Sequence, residues 1–193
     1  MTPATITVVQ SRDNPLLKDL RRLAQENDAY RKQGRVWLEG DHLCRALLAR
    51  GQRPSIAIFC ESFWPLAPKE WADAAPKIIV MPDTLFASIS GLESPARMGF
   101  VVALPPPPTV QAGVASLVLD RVQDAGNAGS MLRSAGAFGF SQVIALKGTV
   151  ALWGPKVLRA GMGAHFGLRL VEGVPADELD ALQVPLIVTS SHQ

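Results

Sequence analysis

The chain has 193 residues, 48% of them hydrophobic and 19% charged, with a formal net charge of +2. That is enough apolar material for a real core, in one large domain or two small ones. No apolar run approaches the roughly 18 residues of a membrane span, and Met1 to Gln10 has neither the basic start nor the apolar stretch of a secretion signal. These features predict a cytoplasmic protein with no membrane partner. Cys44 and Cys60 have no CxxC or ligand-like spacing, so the sequence predicts two buried free thiols and no metal site. Charge is uneven along the chain. Residues 1–53 hold ten Lys/Arg and six Asp/Glu, whereas residues 54–193 carry a balance of −2. The basic front suits a polyanion, although its charge is far below that of a dedicated nucleic-acid binder.

In chain order, Ser11 to Asn14 leads into Pro15 as a cap and first-turn proline, and Leu16, Leu17, Leu20, Leu23 and Ala24 recur at helical spacing. Lys18, Arg21, Arg22 and Gln25 occupy the opposite face, and Arg31, Lys32 and Arg35 extend that basic patch. A solvated helix face and a phosphate-binding stripe both fit this pattern. Val36 to Leu38 reads as a strand, His42 to Arg50 as a helix stopped by Gly51, and Ser55 to Cys60 as a second strand. A tryptophan-containing helix near Pro68 to Ala75 follows, then a strand at Lys77 to Met81, a short helix capped by Asp83, and a strand from Met98 to Leu104. Four prolines, Pro105 to Pro108, form a stiff extended segment where the domain boundary is placed.

The most informative stretch is Leu117 to Phe140. Leu117 to Leu119 is a buried-strand pattern, Asn127 is a good helix cap, Ala128 to Ala137 can make nearly three helical turns, and Gly139 can end them in the left-handed conformation. Leu132, Ala135 and Phe138 are left to pack this helix onto a sheet. Gln142 to Leu146 is the next strand of a β-loop-α-β unit. Arg133 has only Gly129, Ser130, Gly136 and Ala137 at the neighbouring three- and four-residue positions. It is either an arginine left bare for close approach or a surface arginine beside helix-packing glycines. Further on, a helix starts at Gly154-Pro155, Phe166, Leu168 and Leu170 alternate as a strand, Pro175 opens a last helix, and Pro185 to Thr189 reads as a fourth strand of this unit. Gly161, Gly163 and Gly167 have the wrong spacing and context for a dinucleotide fingerprint. His42, His165 and His192 have no mutual spacing that suggests a dyad or a metal, so each is read as structural or exposed.

Asn127, Gly129, Arg133 and Ala137-Phe138-Gly139 together resemble the first motif of the SpoU/TrmH-type RNA ribose 2′-O-methyltransferases of the SPOUT superfamily. Ala125 stands where that family commonly has proline, and Gly136 where an acidic residue is common. Ala160 to Phe166 resembles a second family segment, with Gly161 in place of the usual serine. Front-half landmarks also match: Asn-Pro-Leu-Leu-Lys, Tyr30-Arg31-Lys32, Val36 to Gly40 ending in Glu-Gly, and Ser90 to Pro95.

The resemblance implies an α/β chain with a small RNA substrate-binding domain over residues 1–104, a proline-rich linker at 105–113 and the first part of a parallel-sheet SPOUT domain at 114–193. It implies methyl transfer from S-adenosylmethionine to a ribose 2′-hydroxyl of structured rRNA or tRNA, by a homodimer when full length. Arg133 would engage phosphate and activate the hydroxyl, and Asn127 would orient that arginine or the backbone. Because a guanidinium stays protonated, a phosphate clamp and alkoxide stabiliser suits Arg133 better than a base. Lys18, Arg21, Arg22, Arg31, Lys32 and Arg35 would contact RNA. The cofactor-binding and knot-forming motifs of the family would lie beyond residue 193, so the resemblance predicts a chain cut before most of its donor site, with Thr189 and Ser190 as candidate contacts. A non-catalytic RNA-binding protein on a degenerate transferase scaffold is the alternative.

Overall fold

The computed structural model describes residues 4–189. Its first sheet contains β1 (Thr5–Val8), β2 (Arg35–Glu39), β3 (Ile56–Cys60), β4 (Lys77–Met81) and β5 (Met98–Ala103), in the spatial order β1-β4-β3-β5-β2. β1, β4 and β3 run parallel, and β5 is antiparallel to both β3 and β2. Ala57, Ile58 and Phe59 on β3 have no solvent exposure at all, as an unbroken apolar strand in mid-sheet requires. Helix α1 (Pro15–Gln25) begins where the Asn14 side chain accepts a hydrogen bond from the Leu16 amide at 2.9 Å, and it buries Leu17, Leu20, Leu23 and Ala24. α2 (Ala29–Gln33), α3 (Asp41–Ala49), α4 (Lys69–Ala72) and α5 (Asp83–Ala87) complete this half.

Strand β1 and helix α2 have no counterpart in the sequence reading. All four residues of β1 are exposed, so this edge strand has no inward-facing residues to betray it. Asp83 is expected to cap α5, but the cap position is Pro82. The Asp83 carboxylate instead accepts the Ser62 amide at 3.2 Å and the Ser62 hydroxyl at 2.5 Å.

The second sheet is wholly parallel, with β6 (Ser116–Leu119), β7 (Gln142–Leu146) and β8 (Arg169–Val174) in that order. α6 (Ala125–Ala137) links β6 to β7, and α7 (Pro155–Gly161) lies between β7 and β8. The mixed α/β architecture with a parallel second sheet is the expected one. Several elements differ from expectation. Phe166 sits in a 3-10 turn, Ala164–Gly167, and the strand starts only at Arg169. The helix expected after Pro175 is a 3-10 segment, Ala176–Leu182. Pro185 to Thr189 is not a strand: Ile187 and Val188 are 91% and 87% exposed and, among the described residues, no neighbouring strand pairs with them. An extended segment without a ladder partner has nothing to hold it as a strand.

The two halves dock through α7 and the turn after it. Ala151, Leu158 and Phe166 belong to the same buried cluster as the first sheet. The backbone comes very close at glycines: a Cβ on Gly154 would stand 2.9 Å from the Asn27 carbonyl oxygen, and one on Gly163 would overlap Ala46. Gln52 donates to the Phe166 carbonyl at 3.0 Å. Cys44 and Cys60 are buried free thiols, as expected, and burial raises both above the usual thiol range. Among the described residues, no helix is long and apolar enough to cross a membrane.

Candidate active site

The C-terminal ends of β6 and β7 meet in two loops that are tied together. The Thr149 hydroxyl donates to the Leu119 carbonyl at 2.9 Å, the Val150 amide donates to the Val122 carbonyl at 2.9 Å, and the Gln123 amide group donates to the Gly148 carbonyl. Arg121 adopts a left-handed φ of 51° in the first loop and pairs with Asp120 at 2.9 Å, both on the surface. That hydrogen bond with Arg121 holds the Asp120 carboxyl below the usual range.

Helix α6 rises from this rim. Its cap is Asp124, whose carboxylate accepts the Asn127 amide at 2.7 Å, so the helix begins three residues before the expected start at Ala128. Asn127 therefore lies in the first turn with its side chain free to face outward. A cap three residues before the bonded amide is the usual arrangement, and Asp124 carries that signal in the sequence. Asn127 and Arg133 are six positions apart on the helix. That spacing sets them about 120° apart around the axis, not among the neighbouring i+3 and i+4 positions. Among the described residues neither side chain has a hydrogen-bond partner, and both residues are exposed.

The two glycines beside Arg133 have different uses. Gly129 is buried against α7, where a Cβ would lie 2.7 Å from the Ala160 carbonyl carbon and the Gly161 nitrogen. Gly136 has no atom within 4 Å of where its Cβ would be. The turn before Arg133 is thus closed by helix packing and the turn after it is open, so each sequence reading holds for one glycine. Phe138, expected to pack downward, is 82% exposed. Gly139, at φ 82°, ends the helix, and the Phe140 amide reaches back to the Ala135 carbonyl at 3.0 Å. This closure turns Phe140 into the core in place of Phe138.

A carboxylate that the sequence reading overlooks secures the second loop. Glu172 projects from β8 next to a bulge, where Ala145 pairs with Glu172 and Leu146 with Val174. It accepts the Leu152 amide at 2.7 Å and the Tyr30 hydroxyl at 2.7 Å, and Arg31 approaches it at 3.5 Å. Burial, then the nearby Glu172 charge, pushes the Tyr30 hydroxyl well above its ordinary range. One side chain thus joins α2, β8 and the β7–α7 loop. Beneath that loop His165 is 1% exposed and bonds through Nε2 to the Leu152 carbonyl at 2.8 Å. Burial pushes it down to about 4, so the ring is neutral at pH 7. The Gly161 position lies directly against that ring, with a Cβ there 2.5 Å from its Cε1.

The basic front residues divide into two sets. Arg21 donates to the Ser88 carbonyl and hydroxyl at 3.2 and 2.9 Å, and Arg35 pairs with Asp19 at 2.7 Å. Arg31 is shared with Tyr30 and Glu172. Lys18, Arg22 and Lys32 are exposed and have no ion pair among the described residues. Thr189 is exposed, and Ser190 and His192 lie outside the described residues.

Residues 115–191 match the family model described as SpoU rRNA Methylase family. The chain is 35% identical over 154 residues to the mitochondrial rRNA methyltransferase 3 of Mus musculus, covering 74% of this chain and 36% of that protein. It is 28% identical to the 23S rRNA (guanosine(2553)-2′-O)-methyltransferase of Bacillus subtilis, over 94% of this chain and 73% of that one. The crystal structure of an AdoMet-bound rRNA methyltransferase from Sinorhizobium meliloti superposes with a TM-score of 0.73 at 22% identity, over 92% of this chain and 68% of that chain. The chain spans 36% of the mouse relative's length.

Proposed function

Residues 115–191 are a SpoU-type methylase domain, and from that premise we propose that the protein methylates RNA at a ribose 2′-hydroxyl. The observation that carries the reading is Arg133: charged, exposed, unpartnered among the described residues, and open on its Gly136 side. A guanidinium is a donor without a proton-accepting site and cannot take the hydroxyl proton, but it can hold the adjacent phosphate and stabilise negative charge growing on the 2′ oxygen. Asn127, about 120° away around the helix, would act on RNA or on a neighbouring backbone and not by orienting Arg133.

We take residues 1–104 as the RNA-binding half, joined through 105–113 to the methylase half at 114–193. Lys18, Arg22 and Lys32 would contact phosphates there, with Arg21, Arg31 and Arg35 supporting them from their existing contacts. The 2′-O specificity is supported by the name of the Bacillus subtilis relative. The methyl donor on this reading is S-adenosylmethionine, as bound in the Sinorhizobium meliloti structure. Its natural position is the crevice beyond the strand ends, where the tied loops after β6 and β7 form one wall; Thr189 and Ser190 lose their claim as donor contacts, because the strand that would have carried them there does not form among the described residues. RNA from rRNA or tRNA is the substrate class, and a homodimer is the expected assembly.

The test is transfer of labelled methyl groups to rRNA and tRNA, with mapping of alkali-resistant linkages to detect 2′-O-methylation. Arg133→Ala should lower turnover by at least about a hundredfold, comparable to loss of one group that stabilises developing charge, with its unfolding midpoint unchanged. Wild-type turnover by this variant would remove Arg133 from the chemistry.

A further inference from the structure

Two landmarks of the front half, Glu39-Gly40 and Ser90 to Pro95, are far apart in sequence and meet in the structure. The Ser90 hydroxyl donates to the Glu39 carboxylate, which also accepts the Ala96 amide at 3.3 Å. This junction holds the chain just before β5 over the end of β2, at the mouth of a cleft of about 570 Å³. The cleft is lined by Gly40, Asp41, Arg45, Phe63, Trp71 and Arg97, among others. Its size falls within the roughly 300–1,000 Å³ of small-ligand sites.

The walls are specific in character. The Arg97 guanidinium carbon lies 4.7 Å from the centre of the Phe63 ring, and that of Arg45 lies 5.1 Å from the centre of the Trp71 ring. Both arginines are exposed, so each presents a planar cation backed by an aromatic ring. The acidic groups facing them are Asp41, 3.6 Å from Arg45 in a largely exposed pair, and Asp83, whose oxygens are already taken by Ser62. A solvated pair at that distance is easily exchanged for another anion.

We propose that this cleft holds an unpaired nucleotide of the RNA substrate, its base stacked on the Arg45 and Arg97 planes. The inference rests on the reading that the protein acts on RNA. Bases splayed from single strands, loops and bulges stack on aromatic and guanidinium planes, whereas paired bases in a helix have no face to offer. The cleft therefore selects flexible or looped RNA over duplex. It is a different surface from the Lys18, Arg22 and Lys32 set, which would meet phosphates whatever their pairing.

The experiment compares binding of a single-stranded RNA of about twelve nucleotides and of a hairpin that pairs the same sequence, its two arms joined by a non-nucleotide linker so that no base is left unpaired. Arg45→Ala with Arg97→Ala should weaken the single strand about tenfold and the hairpin much less. Arg97→Lys keeps the charge and loses the plane, so it should lose affinity while keeping the salt dependence; it also serves if Arg45→Ala unfolds the chain. A 5-iodouridine probe should photocross-link to the peptides that line the cleft, those containing Arg45, Phe63 or Arg97. Wild-type affinity in the double variant, equal losses for strand and hairpin, or cross-links confined to other peptides would overturn the proposal. If Lys18→Glu with Arg22→Glu abolishes binding while the double arginine variant does not, only the cleft is refuted; if the wild-type chain binds neither probe, the RNA reading falls with it.

Discussion

Replacing Glu172 by alanine should separate the two halves of the molecule energetically. The side chain accepts from a Leu152 amide in a residue with no exposure and from the hydroxyl of Tyr30, which is 6% exposed. Neither donor has another acceptor among the described residues, and Arg31, which also touches the Tyr30 hydroxyl, can only donate to it. Two buried donors left without partners cost about 1–3 kcal/mol each, giving a loss of about 2–6 kcal/mol. The 3.5 Å contact to Arg31, whose side chain is 53% exposed, adds little beyond this. Glu172→Gln retains a carbonyl oxygen for the Leu152 amide and should lose roughly 1–2 kcal/mol, the difference between charged and neutral acceptors. Urea unfolding followed by tryptophan fluorescence is suited to the measurement, because Trp153 packs against both halves. A change below about 0.5 kcal/mol for the alanine variant, or equal losses for both variants, would refute the clamp.

Gly129→Ala and Gly136→Ala make the same change on one helix and should act in opposite directions. The first forces a Cβ into the α7 backbone and should destabilise by several kcal/mol, while the second enters open space and should stabilise by about 0.5–1 kcal/mol; thermal midpoints shifting the same way would show that α6 and α7 are not in close contact. His165 binds its proton only near pH 4 when folded and near its ordinary value of about 6.5 when unfolded, so the unfolded chain takes up protons first as pH falls. Stability should therefore decline from about pH 6.5 towards pH 4, by on the order of 3 kcal/mol, and His165→Gln should flatten that slope; an unchanged profile would place the acid sensitivity elsewhere.

The regular elements were legible where burial follows a simple period. β4 and β7 occupy the expected residues, and β2, β3 and β5 lie within two residues of theirs, because each carries an apolar run inside a covered sheet. The failures occur where apolar pattern and burial part company. Thr5 to Val8 pairs along a sheet edge while exposing every side chain, and Pro185 to Thr189 has β-forming residues but, among the described residues, no strand beside it. Strand formation depends on an available edge as much as on local residue type. The proline run does separate the residues of the two sheets, yet it gives no hint that Gly154, Gly163 and Gly167 bring their backbones into contact with the first half.

At the site, Arg133 was visible because its small neighbours are spaced by helix geometry, and helix geometry also separates it from Asn127. An asparagine that caps a helix looks outward from its start; one in the first turn, behind the Asp124 cap, projects from a different flank than a residue six positions later. On the proposed reading the two side chains would contact RNA independently, and the effects of replacing them should add unless the RNA itself couples them. Glu172 illustrates the opposite limit. Nothing in its local sequence marks it, since its partners lie 20 and 142 residues away and a bulge at Gly173 intervenes before the next paired residue of its strand. Its importance arises only when three elements converge on one carboxylate, which ties the basic front half to the loop beside the methylase strand ends. RNA held by Lys32 or Arg31 on α2 would thus sit on a surface fixed relative to that loop, so a substitution at Glu172 should affect substrate positioning as well as stability.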